Sequence, residues 1–205
     1  MTAVLAALIV GVVVPACSRD RDRSGPTTST TEAPATSAPS STAPASTTTT
    51  LPPCPPGPGS DSGNRSAEGS GAVLLTGLVS NHNRCEDSVL IELRGVDGAG
   101  PGYETKWVEP PFVEDPSGRT LTVKGKAFLS VRMSPAYGYD FETGEQTYEG
   151  AGTVEPPGGG RVQEVVRTGD FEGVLNFVIG LDRKRPFDIV TQSGDSARLE
   201  VIFGD

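Results

Sequence analysis

Residues 127–133 read Ala-Phe-Leu-Ser-Val-Arg-Met, and this stretch decides the fold. Ala127, Leu129, Val131 and Met133 fall on one side of an extended chain, with Ser130 and Arg132 on the other. A period of two is the mark of a half-buried strand. The pattern recurs along the chain. Val89, Ile91 and Leu93 share a face with Glu92 opposite, and Leu199, Val201 and Phe203 alternate with Glu200. Apolar stretches separated by Gly, Pro and Asp predict strands over 72–80, 88–94, 103–108, 120–133, 162–168, 173–181, 187–191 and 197–203. No segment keeps an apolar stripe of helical period for three turns, and the one helix-tolerant stretch, 170–177, has β-branched surroundings. Short strands punctuated by turn residues predict an all-β domain, an antiparallel β-sandwich or barrel-like fold.

Outward from this core the composition changes near residue 67, so 67–205 is read as the all-β domain. Residues 17–66 are read as a disordered linker. From Ser24 to Thr50 every residue except Gly25 and Glu32 is Ser, Thr, Pro or Ala, which offers almost no apolar surface to offset the entropy of ordering. Such a linker spans up to ~150 Å if extended, or ~40 Å as a coil. Before it, Ala3–Ala16 holds no charged or polar side chain. That run is short of the ~20 residues of a membrane-crossing helix and fits the apolar core of an export signal, read as residues 1–16. Val14-Pro15-Ala16-Cys17 resembles the lipobox of bacterial lipoproteins, which implies lipidation of Cys17 and anchoring at the outer face of the cytoplasmic membrane. Stable anchoring needs two lipid chains, which such a lipoprotein carries.

The 205 residues carry 26 acidic and 17 basic side chains, and 22 and 13 of these lie from Ser66 onward. The whole net charge of −9 therefore sits on the folded part, which argues against nucleic acid as a partner. One His and three Cys nearly exclude a zinc centre. No phosphate-cradling or calcium-binding motif occurs, and no cofactor is expected. The single imidazole, His82, sits in Ser-Asn-His-Asn without a G-x-S-x-G nucleophile motif, and nothing selects a pair among the many carboxylates. The chain reads as a non-enzyme. In an oxidising compartment Cys54 and Cys85 are expected to form a structural disulfide.

The candidate ligand surface is 134–148, Ser-Pro-Ala-Tyr-Gly-Tyr-Asp-Phe-Glu-Thr-Gly-Glu-Gln-Thr-Tyr. Tyr137, Tyr139, Phe141 and Tyr148 stand among Gly, Asp and Glu in a long loop or hairpin. Aromatic faces beside carboxylates suit sugar rings, and exposed aromatics also anchor protein partners. The plainer alternative is a hairpin whose aromatics only cover the sandwich edge. Tyr103 and Trp107 lie on a predicted strand and read as core or rim.

From about Gly71 to Phe203 the chain resembles the AMIN-like domain of actinobacterial secreted proteins and lipoproteins, related to the AMIN modules of cell-wall amidases. The resemblance rests on His82 followed by Asp87-Ser88-Val89-Leu90-Ile91-Glu92, on Pro101-Gly102-Tyr103 and on Ser134-Pro135-Ala136. It rests further on Gly169-Asp170-Phe171-Glu172-Gly173-Val174-Leu175, Ile179-Gly180-Leu181, Pro186-Phe187 and Arg198-Leu199-Glu200-Val201. Ser88 stands where the family usually has a basic residue. Gly-Asp-Phe-Glu-Gly reads as a turn with a buried aromatic, and Arg198 as an ion-pair partner for Asp87 or Glu172. The resemblance implies a non-catalytic module of the cell envelope that binds cell-wall glycan or peptidoglycan. The alternative function is a protein-interaction or scaffolding module, with the aromatic loop or an edge strand docking an envelope protein.

Overall fold

The computed structural model describes residues 52–54, 56, 57, 59 and 62–204. The expected signal, Cys17 and most of the linker lie outside the described residues. The strands are β1 (Ser66–Ala67), β2 (Val73–His82), β3 (Asp87–Gly95), β4 (Tyr103–Val108), β5 (Phe112–Val113), β6 (Thr120–Leu121), β7 (Ala127–Met133), β8 (Ala136–Tyr137), β9 (Thr153–Val154), β10 (Val162–Phe171), β11 (Val174–Leu181), β12 (Phe187–Gln192) and β13 (Arg198–Phe203). They form a six-stranded sheet ordered β1-β4-β7-β11-β10-β9 and a five-stranded sheet ordered β12-β13-β3-β2-β8, with β5 and β6 as a separate hairpin. The sheets curl into a sandwich or half-barrel, as the alternation predicts.

The core lies between the sheets. Val89, Ile91 and Leu93 of β3 and Leu199, Val201 and Phe203 of β13 face Leu129, Val131 and Met133 of β7 and Leu175, Phe177 and Ile179 of β11. Each fully buried side chain of this kind contributes about 1.5–3 kcal/mol. A smaller cluster covers the outer face of the six-stranded sheet, where the β5–β6 hairpin lays Phe112, its ring 4.9 Å from that of Phe128, beside Val123, Val166 and Val178.

The stretch 120–133, expected as one strand, is two. The chain leaves β6 at Leu121 and re-enters the sheet at Ala127, with Gly125 at φ 146° pressed against the backbone of Gly180 and Leu181. Lys126 N–H then donates to the Leu181 carbonyl at 2.7 Å, restoring the ladder.

The register fixes two ends. At one, His82 pairs with Asp87, Asp87 with Phe203, and Phe203 with Phe187. At the other, Val73 pairs with Gly95, Arg198 with Gln192, and β8 runs parallel to Val73 and Leu74. The nine residues of β3 separate these ends by roughly 26 Å.

Candidate functional site

The end that carries β8 is built by the Gly169–Gly173 segment. Phe171 pairs with Val174, leaving Glu172 and Gly173 as a two-residue turn with φ 50° and 74°. Positive φ at both central positions is the type I′ geometry that matches strand twist. Gly173 is required here twice, because a Cβ would also lie 2.8 Å from the Tyr137 hydroxyl. Its carbonyl accepts the Ala136 N–H at 2.9 Å, and the Asp170 carboxylate accepts the Gly138 N–H at 3.1 Å. The turn thus holds the start of the aromatic loop by both backbone and side chain. The aromatic of this segment was expected to be buried, yet Phe171 is 42% exposed. A one-residue register shift between Arg167 and Gly169 changes the face its neighbours present.

Within the loop, Asp140 is the organising residue. Its carboxylate accepts the N–H groups of Glu142 (2.9 Å) and Thr143 (3.3 Å), and Arg94 of β3 donates to it at 3.2 Å. These amides, with Arg94 adding to them, hold the Asp140 carboxyl below the usual carboxylate range. Asp140 N–H donates to the Glu145 carbonyl and Gly144 N–H to the Asp140 carbonyl, both at 2.7 Å, so Tyr139 meets Gln146 across a short hairpin.

The structure divides the four expected aromatics. Tyr137, Tyr139 and Phe141 form one group, with ring centroids 5.6 Å apart for Tyr137–Tyr139 and 5.1 Å for Tyr137–Phe141. Phe141 is 44% exposed. Tyr148 does not share this surface. It is only 8% exposed, its hydroxyl donates to the Ala151 carbonyl at 2.7 Å, and the Arg167 guanidinium lies 5.4 Å from its ring centroid. Burial pushes its phenol upward, opposed in part by Arg167. The loop folds back at Tyr148 because a large ring finds an apolar seat there, and the side chain serves as an anchor of the loop. Tyr103 and Trp107 are half-buried and pack on the core, as expected.

Phe141 forms one wall of a hollow of about 350 Å³, lined also by Leu74, Arg94, Asp97, Asp140, Glu142 and Asp195. Asp195, in the β12–β13 turn, also borders a neighbouring hollow of about 360 Å³ with Glu92 and Arg198. The Phe141 ring therefore stands beside the Asp97, Asp140, Glu142 and Asp195 side chains, which places an apolar face next to hydrogen-bond acceptors. Sequence reading missed Arg94 on β3, Asp97 in the turn after it and Asp195 in the β12–β13 turn, which lie far apart in the chain and carry no shared local pattern.

The opposite end has a different character. Asp87, fully buried, accepts the Val162 N–H at 2.9 Å and bonds His82 Nδ1 at 2.8 Å and Arg161 at 3.2 Å. Arg161 therefore fills the role expected of Arg198, which is exposed on β13 and paired in register with Glu92. The reason is the strand polarity: Arg198 begins β13 at the far end from Asp87. Cys54 and Cys85 are joined as expected, with Cα atoms 5.3 Å apart, and Arg84 donates to the Pro52 carbonyl beside them. His82 is the last residue of β2. This network ties β2, β3 and β10 to the incoming chain. Among the described residues no group of three or more His, Cys, Asp and Glu is placed to hold a metal ion.

The domain is thus a β-sandwich with an aromatic, carboxylate-rimmed surface at one end and a structural ion-pair network at the other. The chain belongs to the AMIN-like domain family, whose model matches residues 73–202, more than half of the sequence. Domains of this family are generally non-catalytic and are related to modules of cell-wall amidases. Searches among curated proteins and among solved structures each give no significant match.

Proposed function

We propose that this protein is exported, is held to the outer face of the cytoplasmic membrane by lipid on Cys17, and binds cell-wall glycan or peptidoglycan through Tyr137, Tyr139 and Phe141. One observation carries the reading: Tyr137 packs on both Tyr139 and Phe141 in a loop fixed by Asp140 and Asp170, and Phe141 walls a hollow rimmed with carboxylates. Sugar C–H groups pack on such rings while hydroxyls donate to the acids. Placement supports it as well. The described chain enters the domain at Cys54, beside the β2–β3 turn, roughly 26 Å from the aromatic end along β3. The rings thus stand at the opposite end of the domain from the Cys54–Cys85 disulfide.

The test is co-sedimentation of the full chain, in mild detergent at physiological salt, with isolated cell walls. Saturable binding that falls at least tenfold in the triple variant Tyr137→Ala, Tyr139→Ala, Phe141→Ala is the expected result. No binding at any salt concentration removes the glycan reading. For the anchor, Cys17→Ala should release the protein into the medium, and continued membrane fractionation of that variant refutes lipidation. The protein-interaction reading draws on one fact: a net charge of −9 repels anionic wall polymers.

A further inference from the structure

The four lateral edges of the two sheets are unlike one another. β1, β9 and β8 close three of them with two residues each, whereas β12 closes the fourth with six. Very short edge strands, bulges, lysines and prolines are the usual devices that keep an edge from pairing with another chain. β12, Phe-Asp-Ile-Val-Thr-Gln, has none of them, and it pairs with β13 through six residues without a register shift.

Among the described residues, hydrogen bonds to its outer side fall on its first two residues. Arg65 donates to the Phe187 carbonyl at 2.7 Å and to Asp188 at 3.1 Å. Among the described residues, no backbone group of another segment bonds to the outer side of Ile189–Gln192. Val190 is 42% exposed and ends a cross-strand row that runs through Glu200 and Leu90 to Val79, itself 38% exposed.

We propose that this edge receives an extended segment of a partner protein, which adds as a further strand beside Ile189–Gln192. Main-chain hydrogen bonds supply affinity in such additions, and alternate side chains supply specificity. The segment carries apolar residues to sit beside Val190 and Ile189, and basic residues to suit a domain of net charge −9. A second copy of this chain fits poorly. Two copies repel, each at −9, and an antiparallel pairing about Val190 turns one domain end for end. Their Cys54 ends, where each chain enters, then face opposite ways.

The test is selection of a displayed library of random twelve-residue peptides on the full chain, with Val190→Lys as the counter-target. An exposed lysine blunts the edge and leaves the buried face intact. Peptides are expected to bind at least tenfold more weakly to Val190→Lys and equally well to Phe141→Ala. They are expected to slow amide exchange at Ile189–Gln192 at least tenfold. Peptides that bind both proteins alike, or that leave those amides unprotected, overturn the proposal. Concentration-dependent dimers protecting the same amides without peptide overturn it in favour of a second copy. The Phe141→Ala arm separates failure here from failure of the glycan reading.

Discussion

Tyr148→Ala and Phe141→Ala, two substitutions seven residues apart in one loop, should differ by several kcal/mol in their cost. Tyr148 is 8% exposed and loses its ring packing, its bond to the Ala151 carbonyl and its contact with Arg167. Truncating a buried aromatic costs about 3–5 kcal/mol, of which the hydrogen bond accounts for about 1. Phe141 is 44% exposed, so its removal should stay within about 0.5 kcal/mol. For a domain of this size the first change lowers Tm by roughly 10 °C or more and the second by about 1–2 °C. Trp107, the only tryptophan, is half-buried with its ring 6.1 Å from Phe187, so its fluorescence reports unfolding of the core in urea. Tyr148→Phe should lie between, near 1 kcal/mol. A cost below 1 kcal/mol for Tyr148→Ala, or above 2 for Phe141→Ala, would refute the division of the loop into anchor and surface.

Three further predictions concern the network and the loop. Replacing Cys54 and Cys85 together by Ser should cost about 3–4 kcal/mol on the chain-entropy account of a 31-residue separation, measured by urea unfolding with and without reductant. Asp87→Ala, which strips the Arg161 side chain of its buried carboxylate, should cost about 3 kcal/mol, and Asp87→Ala with Arg161→Met should cost less than the sum of the two single changes. Asp140 has a depressed carboxyl, so its stabilisation of the loop is complete above about pH 4 and is lost only as pH falls through that lowered value. Protection factors of the Glu142 and Thr143 amides should therefore hold steady down to about pH 4 and drop below it, whereas in Asp140→Asn they should be low throughout.

Alternation made most of the sheet legible in advance, because Val89–Ile91–Leu93, Leu129–Val131–Met133 and Leu199–Val201–Phe203 each bury one face in the core between the sheets. The two-residue strands β1, β5, β8 and β9 were invisible, since two residues carry no period. The break at Thr122–Lys126 was hidden for another reason. It depends on Gly125 lying against Gly180, which is distant in sequence. The aromatic loop could be located from composition, but not the burial of Tyr148 or the exposure of Phe171. Those depend on where Arg167 and the bulge before Gly169 fall in the sheet. The Asp87–Arg161 pair spans 74 residues and joins β3 to the residue just before β10, in the other sheet, a relation that no local pattern encodes.

The family motif and the proposed site are connected physically. Asp170 and Gly173 make no direct contribution to a ligand surface, yet each fixes a backbone atom of the loop that does: Asp170 takes the Gly138 N–H, and the Gly173 carbonyl takes that of Ala136. A Cβ at Gly138 would displace the Asp170 carboxylate that holds the Gly138 N–H, so loop and turn are matched to one another. The motif therefore specifies a support, while the residues that line the hollow stand on the supported loop and in turns outside it, at Phe141, Asp97 and Asp195. A shared scaffold can present different rims to different ligands under this arrangement. Which polymer is bound would then be decided by the loop between Gly138 and Tyr148 and by the β12–β13 turn, so exchanging those segments should change ligand choice without disturbing the sandwich.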